Sequence, residues 1–228
     1  MHGRPPPLRL WAAEALEIPK LLASPFQAPI SLPPGQGQPV IVYPGYLTSD
    51  ISSIRLRRSL KKAGYAVYGW EFGQNKGARP DLLERLSRRV SQVSQRHGQA
   101  ATLIGWSLGG VYAREVAKVT PEHVRLVITL GSPFSGSPRA NNAWRLYELL
   151  NDHPVDNPPL EIDLPVKPAV RTVAVWSPID GIVSAASACG LPHESDRQVE
   201  VPVRHLSLTR EPRGIRIIGA LLAEELAG

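Results

Sequence analysis

This 228-residue chain predicts an α/β fold, a mostly parallel sheet of about six strands flanked by helices and carrying a small lid insertion. Three observations predict it. Short β-rich runs alternate with longer stretches of helical periodicity, the alternation that a parallel sheet wrapped by helices requires. One of these runs, residues 101–104, leads through Gly105-Trp106-Ser107-Leu108-Gly109-Gly110 into a helical segment at 111–119, a strand-turn-helix passage with small residues on both flanks of a serine. Apolar residues make up 43% of the chain and charged ones 20%, an ordinary mixture for one sizeable core, so a single domain over 1–228 is expected.

The elements follow in order. Residues 8–22 read as an amphipathic helix kinked near Pro19, within an N-terminal helical extension over 1–36 that covers one edge of the sheet. Val40-Ile41-Val42-Tyr43 is the first strand, closed by Pro44-Gly45. A helix follows from Asp50, a candidate N-cap, through Ile51, Ile54 and Leu60 to a stop at Gly64. Residues 65–70 form the next strand, and a glycine-rich loop spans 73–77. Pro80 opens a helix in which Leu82, Leu83, Leu86, Val90 and Val93 recur at helical spacing until Gly98. After the serine turn come a strand at 124–130 and a proline-rich stretch at 133–169 with one helix candidate, 140–150, placed as a lid. Strands at 170–176 and 199–203 and a helix at 213–226 complete the chain.

Charge and cysteine content narrow the function classes. The formal charge is +6, carried by arginines scattered through helices. No basic run is interleaved with base-stacking aromatics, so the charge reads as a solvated surface and not as a nucleic-acid interface. Cys189 is the single cysteine, which rules out an intramolecular disulfide and a thiolate metal cluster and favours a reducing, cytoplasmic setting. Arg9, Glu14, Glu17 and Lys20 interrupt the apolar segment at 8–22, arguing against a signal-peptide core and a membrane span. Docking at a membrane surface through the basic face and this helix is a rival reading, less favoured than a cover for the sheet edge.

The turn around Ser107 reads as a nucleophile elbow, with Gly105 and Gly109 meeting the steric demand of a strained turn. A serine hydroxyl is a weak nucleophile at neutral pH and needs a base within reach and a third group to orient that base. Asp180, just past the strand at 170–176, and His205, just past the strand at 199–203, supply both in the order serine, acid, histidine. His193 is the competing base, while Asp196, Asp163 and Asp152 are competing acids. His2 and His97 precede the serine, His123 lies at the opposite edge and His153 falls in the lid. Leu108, the residue after the serine, offers one amide to an oxyanion, and Tyr46 in the loop after the first strand offers the second. Trp106, Trp144 and Tyr147 are the candidate substrate-binding aromatics, and the apolar lid residues, Leu146, Leu149 and Leu150 among them, hint at an acyl pocket.

From Val40 onward the chain resembles the α/β-hydrolases of the lipase and esterase type. The Pro-Gly loop, Gly-Trp-Ser-Leu-Gly-Gly, Leu-Gly-Ser-Pro-Phe at 130–134, Ser-Pro-Ile-Asp-Gly-Ile-Val at 177–183 and the late His205-Leu206 occur in that superfamily's order. It is similar in particular to small bacterial hydrolases related to triacylglycerol lipases. The resemblance implies an acyl-enzyme mechanism on small-molecule or lipid esters, with Ser107, Asp180 and His205 in the matching positions and no cofactor or metal. Amidase, thioesterase and acyltransferase chemistry share the same intermediate, and a non-catalytic binding protein could retain the fold. The chain departs from the family in two places: Pro44-Gly45 stands where His-Gly is usual, and the segment before Val40 is short for the family's first antiparallel strands.

Overall fold

The computed structural model describes residues 4–160 and 162–227. Six strands form one sheet: β1 (Pro39–Tyr43), β2 (Ala66–Gly69), β3 (Ala101–Trp106), β4 (Val124–Leu130), β5 (Arg171–Trp176) and β6 (Arg197–Glu200). Their spatial order is β2-β1-β3-β4-β5-β6 and every pair is parallel, so no antiparallel strand precedes β1 in this sheet. The chain leaves β1 toward β2 and returns on the other side to β3. That reversal puts the exits of β1 and β3 at the switch point where open sheets of this kind leave a crevice.

The helices are α1 (Leu8–Glu14), α2 (Ile18–Leu22), α3 (Ile54–Lys62), α4 (Leu82–His97), α5 (Leu108–Val119), α6 (Trp144–Leu150), α7 (Ala185–Cys189) and α8 (Pro212–Glu225). Alternate strand residues serve opposite faces, as the pleat dictates. Val40 and Val42 pack with Leu56 and Leu60 of α3, and α8 adds Ile215, Ile218 and Leu222 to that core. Ile41 and Tyr43 pack on the other side with Leu86 and Val90 of α4 and Val116 of α5. Both faces are covered, which explains why the central strands are continuous apolar runs.

Several boundaries differ from the sequence reading, each for a local reason. Asp50 does not cap a helix. It opens a 3-10 turn, and its carboxylate accepts the amides of Trp70 and Glu71 at 3.0 Å each, tying the end of β2 to the loop after β1. The helix expected at 140–150 starts only at Trp144, because Asn141 competes with it: its side chain donates to the Pro138 carbonyl and accepts from the Ala143 amide. β6 stops at Glu200 since Pro202 has no amide to donate. The N-terminal helix breaks at 15–17, within the turn preceding Pro19, whose ring cannot follow a regular helical turn.

The N-terminal arm also lies elsewhere than expected. It packs against the loops after β5 and β6, with the Leu10 carbonyl pressed so close to Gly181 that a side chain there would collide with it. The arm turns two carboxylates inward, Glu14 at the end of α1 and Glu17 one turn on, both buried.

Candidate active site

The rim formed by the carboxyl ends of the strands gathers the residues singled out from the sequence. Ser107 stands between β3 and α5 with φ 54° and ψ −125°, a conformation that a residue bearing a side chain adopts only under constraint. The constraint is steric. A Cβ at Gly105 would overlap the backbone of Gly110, and one at Gly109 would come within 2.6 Å of the carbonyl oxygens of Tyr43 and Pro44. Gly110 adds a requirement the sequence reading did not name, since a Cβ there would run into the Ser132 hydroxyl. The Ser107 amide donates to Leu130 at 2.8 Å, so the turn is also fastened to β4.

Asp180 and His205 come together as a buried pair, with His205 Nδ1 2.6 Å from Asp180 Oδ2. The other carboxylate oxygen of Asp180 accepts the amides of Ile182 and Val183 at 2.8 Å each. A neutral imidazole facing a carboxylate through Nδ1 carries its proton there, which leaves Nε2 as the acceptor. Gly131, the residue after β4, is the floor beneath the pair: a Cβ on it would lie 3.0 Å from both Asp180 Oδ2 and His205 Nδ1. Because β4 is the neighbour of β3, Ser107 and the pair occupy adjacent positions on one rim. Burial acts to lower the basicity of the His205 ring, but the Asp180 carboxylate and then the Glu14 charge overcome it, and its pKa is raised above the usual histidine value.

Glu14 is the residue that motif reasoning passed over. Its Oε1 accepts the His205 amide at 2.8 Å and the Gly181 amide at 3.0 Å, and its Oε2 accepts the Leu206 amide at 3.1 Å. One buried carboxylate thus ties together the loops that carry Asp180 and His205. Glu17 continues the line by accepting the Ser207 hydroxyl at 2.8 Å and pairing with Arg210. A signal was present in the sequence: Leu10, Glu14, Glu17 and Leu21 follow helical spacing, so two acids sit on the inward stripe.

The loop after β1 approaches Ser107 closely, as a Cβ at Gly45 would lie 3.3 Å from the Ser107 Cβ. Buried Asn75 holds this loop, donating from Nδ2 to Pro44 at 2.9 Å and accepting the Leu47 amide on its carbonyl at 2.7 Å. The Leu47 and Thr48 amides are engaged within the loop, by the Asn75 and Gly45 carbonyls. The Leu108 amide opens α5, where the first turn of any helix has donors to spare.

A cleft of about 900 Å³, counted with its open mouth, runs from Ser107 beneath residues 133–164. Tyr46, Leu108, Tyr112, Trp144 and Tyr147 line it. Of the three aromatics singled out from the sequence, Trp144 and Tyr147 line the cleft, whereas Trp106 does not reach it. Its ring is buried under His205, 5.7 Å between centroids, and its indole donates to the His205 carbonyl at 3.2 Å. By the alternation of the pleat Trp106 shares a face with Ile104, among the residues packed on α3 and α8. The Tyr112 hydroxyl is buried at the cleft wall with no hydrogen-bond partner among the described residues.

The competing residues are occupied elsewhere. His193 is exposed, and Asp196 accepts from Thr172 and pairs with Lys167 at 2.9 Å. His97 meets Tyr68, His123 meets Ser94, and His153 meets the Pro154 carbonyl. Asp152 and Asp163 are exposed, and His2 lies outside the described residues. Among the described residues no helix is long and apolar enough to cross a membrane.

Comparison with known proteins agrees with this architecture. The model of the PGAP1-like alpha/beta domain matches residues 79–186. The chain is 29% identical over 113 residues to the pimeloyl-[acyl-carrier protein] methyl ester esterase of Shewanella woodyi, 48% of this chain and 42% of that one. It is 38% identical over 61 residues to the biotin biosynthesis bifunctional protein BioHC of Teredinibacter turnerae, 27% of this chain and 10% of that one. The matches thus span less than half the length of these relatives. Among solved structures, EstE1, a thermophilic carboxylesterase cloned from a metagenomic library, superposes with a TM-score of 0.64 at 14% identity, covering 96% of this chain and 95% of its own. Sheet order, elbow and these likenesses together make the chain a protein of the α/β-hydrolase fold.

Proposed function

We propose that the chain is a serine hydrolase that cleaves carboxylic esters through an acyl-enzyme intermediate. The observation that carries the reading is the buried 2.6 Å contact between His205 and Asp180 on the rim beside a serine held at positive φ. His205 Nε2 takes the Ser107 proton as Oγ bonds to the ester carbonyl carbon, and the carbonyl electrons move onto oxygen. The amides of Leu108 and Tyr46 stabilise that oxyanion. On collapse the bond to the alcohol oxygen breaks and His205 returns the proton to the departing alcohol. Water then attacks the acyl-serine with His205 again as base, releasing the carboxylic acid and restoring Ser107. Asp180 holds the ring in the productive tautomer and stabilises the imidazolium, and Glu14 keeps the two loops in register as a positioning residue.

Residues 133–169 serve as the lid in this reading, which the share of the cleft wall they contribute supports. The mostly apolar lining, with Trp144, Tyr147, Leu164 and Val183, suits an aliphatic or aromatic acyl group. The esterase named among the relatives points the same way. Purified protein is expected to turn over p-nitrophenyl butyrate, and Ser107→Ala, checked for folding by circular dichroism, to lose that turnover by a factor of about 10³ or more. Undiminished turnover in the variant overturns the assignment. A panel of matched esters, thioesters and amides ranks the acyl-transfer chemistries that share the intermediate.

A further inference from the structure

We propose that the outer face of the N-terminal arm is a docking surface for anionic lipid bilayers. Arg9, Glu14, Glu17 and Lys20 interrupt the apolar segment and exclude a membrane span. The structure divides these four. Glu14 and Glu17 turn inward and are consumed by the loops after β5 and β6, by Arg210 and by Lys20, whose ammonium pairs with Glu17 at 3.0 Å, whereas Arg4 and Arg9 face outward. Residues 4–30 contain no other carboxylate, so every acid of the arm is buried and its exposed charges are all positive.

The apolar side chains divide as well. Leu10 and Leu21 are on the inward face with the two acids, while Leu8, Trp11, Ile18 and Leu22 recur at three- or four-residue steps, with Ala15 between, on the outward one. Leu8 is 75% exposed, Leu22 73%, and Phe26, at the end of the arm, 90%. Arg58 of α3 reaches the Pro25 carbonyl and adds a cation beside Phe26. A contiguous set of large apolar groups in water is costly and marks a contact surface. An apolar stripe bordered by cations is the pattern of helices that lie in the headgroup region of an acidic leaflet.

A second copy of this chain is the poorer occupant. A two-fold contact through this face would set Arg4 and Arg9 against their own images in a chain of net charge +6. Because Glu14 on the inner face holds the His205 and Gly181 amides and Asn142 donates to the Pro6 carbonyl at 3.1 Å, a docked arm sets the cleft beside the bilayer.

The test is co-sedimentation of the full chain with vesicles of phosphatidylcholine alone and of an equimolar mixture with phosphatidylglycerol. Binding to the mixed vesicles is expected to exceed binding to neutral ones by about tenfold or more at low salt and to weaken as salt is raised. Leu8→Gln/Leu22→Gln/Phe26→Gln should reduce binding to the mixed vesicles at least about tenfold. Arg4→Glu/Arg9→Glu, which leaves the apolar stripe untouched, should erase the preference for the anionic lipid. The proposal is overturned if the wild-type chain stays in the supernatant, if it pellets equally with both vesicles, or if both variants bind as the wild type does. It is also overturned if analytical ultracentrifugation shows a dimer that the triple variant dissolves, since the face would then be a self-contact. These readouts measure binding and stand whether or not the ester-hydrolase reading survives.

Discussion

The two halves of the candidate site are held in place by different physics. The serine half is a short stretch of backbone squeezed between β3 and α5, where Gly105, Gly109 and Gly110 leave no space for anything larger and Ser107 is held at φ 54° by its immediate neighbours. The acid and histidine half is two loops, after β5 and β6, that reach each other through one side-chain contact and through Glu14. A site so built has one rigid wall and one adjustable wall. Disturbing the first should unfold the domain's centre, while disturbing the second should change the chemistry and leave the fold.

The largest effect is expected at the elbow. Gly105→Val sets a branched side chain against the Gly110 backbone, where nothing can yield cheaply, and should cost more than about 3 kcal/mol. Thermal unfolding followed by circular dichroism should show a midpoint roughly 10 °C lower, or no soluble protein. A wild-type midpoint in that variant would mean that the serine half is no more constrained than its counterpart.

Glu14→Ala should act on the adjustable wall. It removes the acceptor shared by the amides of Gly181, His205 and Leu206 and frees the histidine loop to drift. We expect ester turnover to fall about 10- to 100-fold in kcat with little change in KM, because the cleft wall is elsewhere. Loss of folding together with activity would put Glu14 in the same category as Gly105.

Glu14→Gln should have a smaller and more diagnostic effect. Its amide oxygen can still accept from Gly181 and His205, but the negative charge is gone. That charge is one of the causes that raise the His205 pKa. The neutral ring is the base, so activity appears as pH rises through the His205 pKa, and removing the charge should move the acidic limb of the kcat/KM profile to lower pH. A limb that stays in place would show that Glu14 acts through geometry alone. The smallest effect is expected at Tyr112→Phe, which removes a buried hydroxyl at the cleft wall that has no partner among the described residues. A few-fold change in KM that varies with the acyl group would identify that hydroxyl as a substrate contact, and uniform kinetics would make it part of the wall only.

The same division decides how much could be read in advance. The sheet, its strand count and the elbow were legible because each is encoded within a few residues: continuous apolar runs for strands buried on both faces, and glycines where a turn admits nothing else. Asp180 and His205 could be picked out by their place after strands, although His205 follows β6 by five residues and not directly, since Pro202 ends the ladder early. Glu14 was hidden because its partners lie 167 to 192 positions away, so its place on one stripe with Leu10 and Leu21 shows that it faces inward and not what it meets. Trp106 was misplaced for a related reason, as an aromatic beside a reactive serine suggests a substrate contact until the pleat turns it under His205. Asp50 looked like a cap because caps are local, but its carboxylate reaches across to β2.

The central claim is that Ser107 is a nucleophile activated by His205 and Asp180, and covalent labelling tests it most directly. The full chain is treated with a fluorophosphonate, digested and mapped by mass spectrometry. The account predicts a single adduct on Ser107 that forms readily in wild type and is lost in both Ser107→Ala and His205→Ala. An unlabelled wild-type chain, or an adduct on another residue, would contradict it.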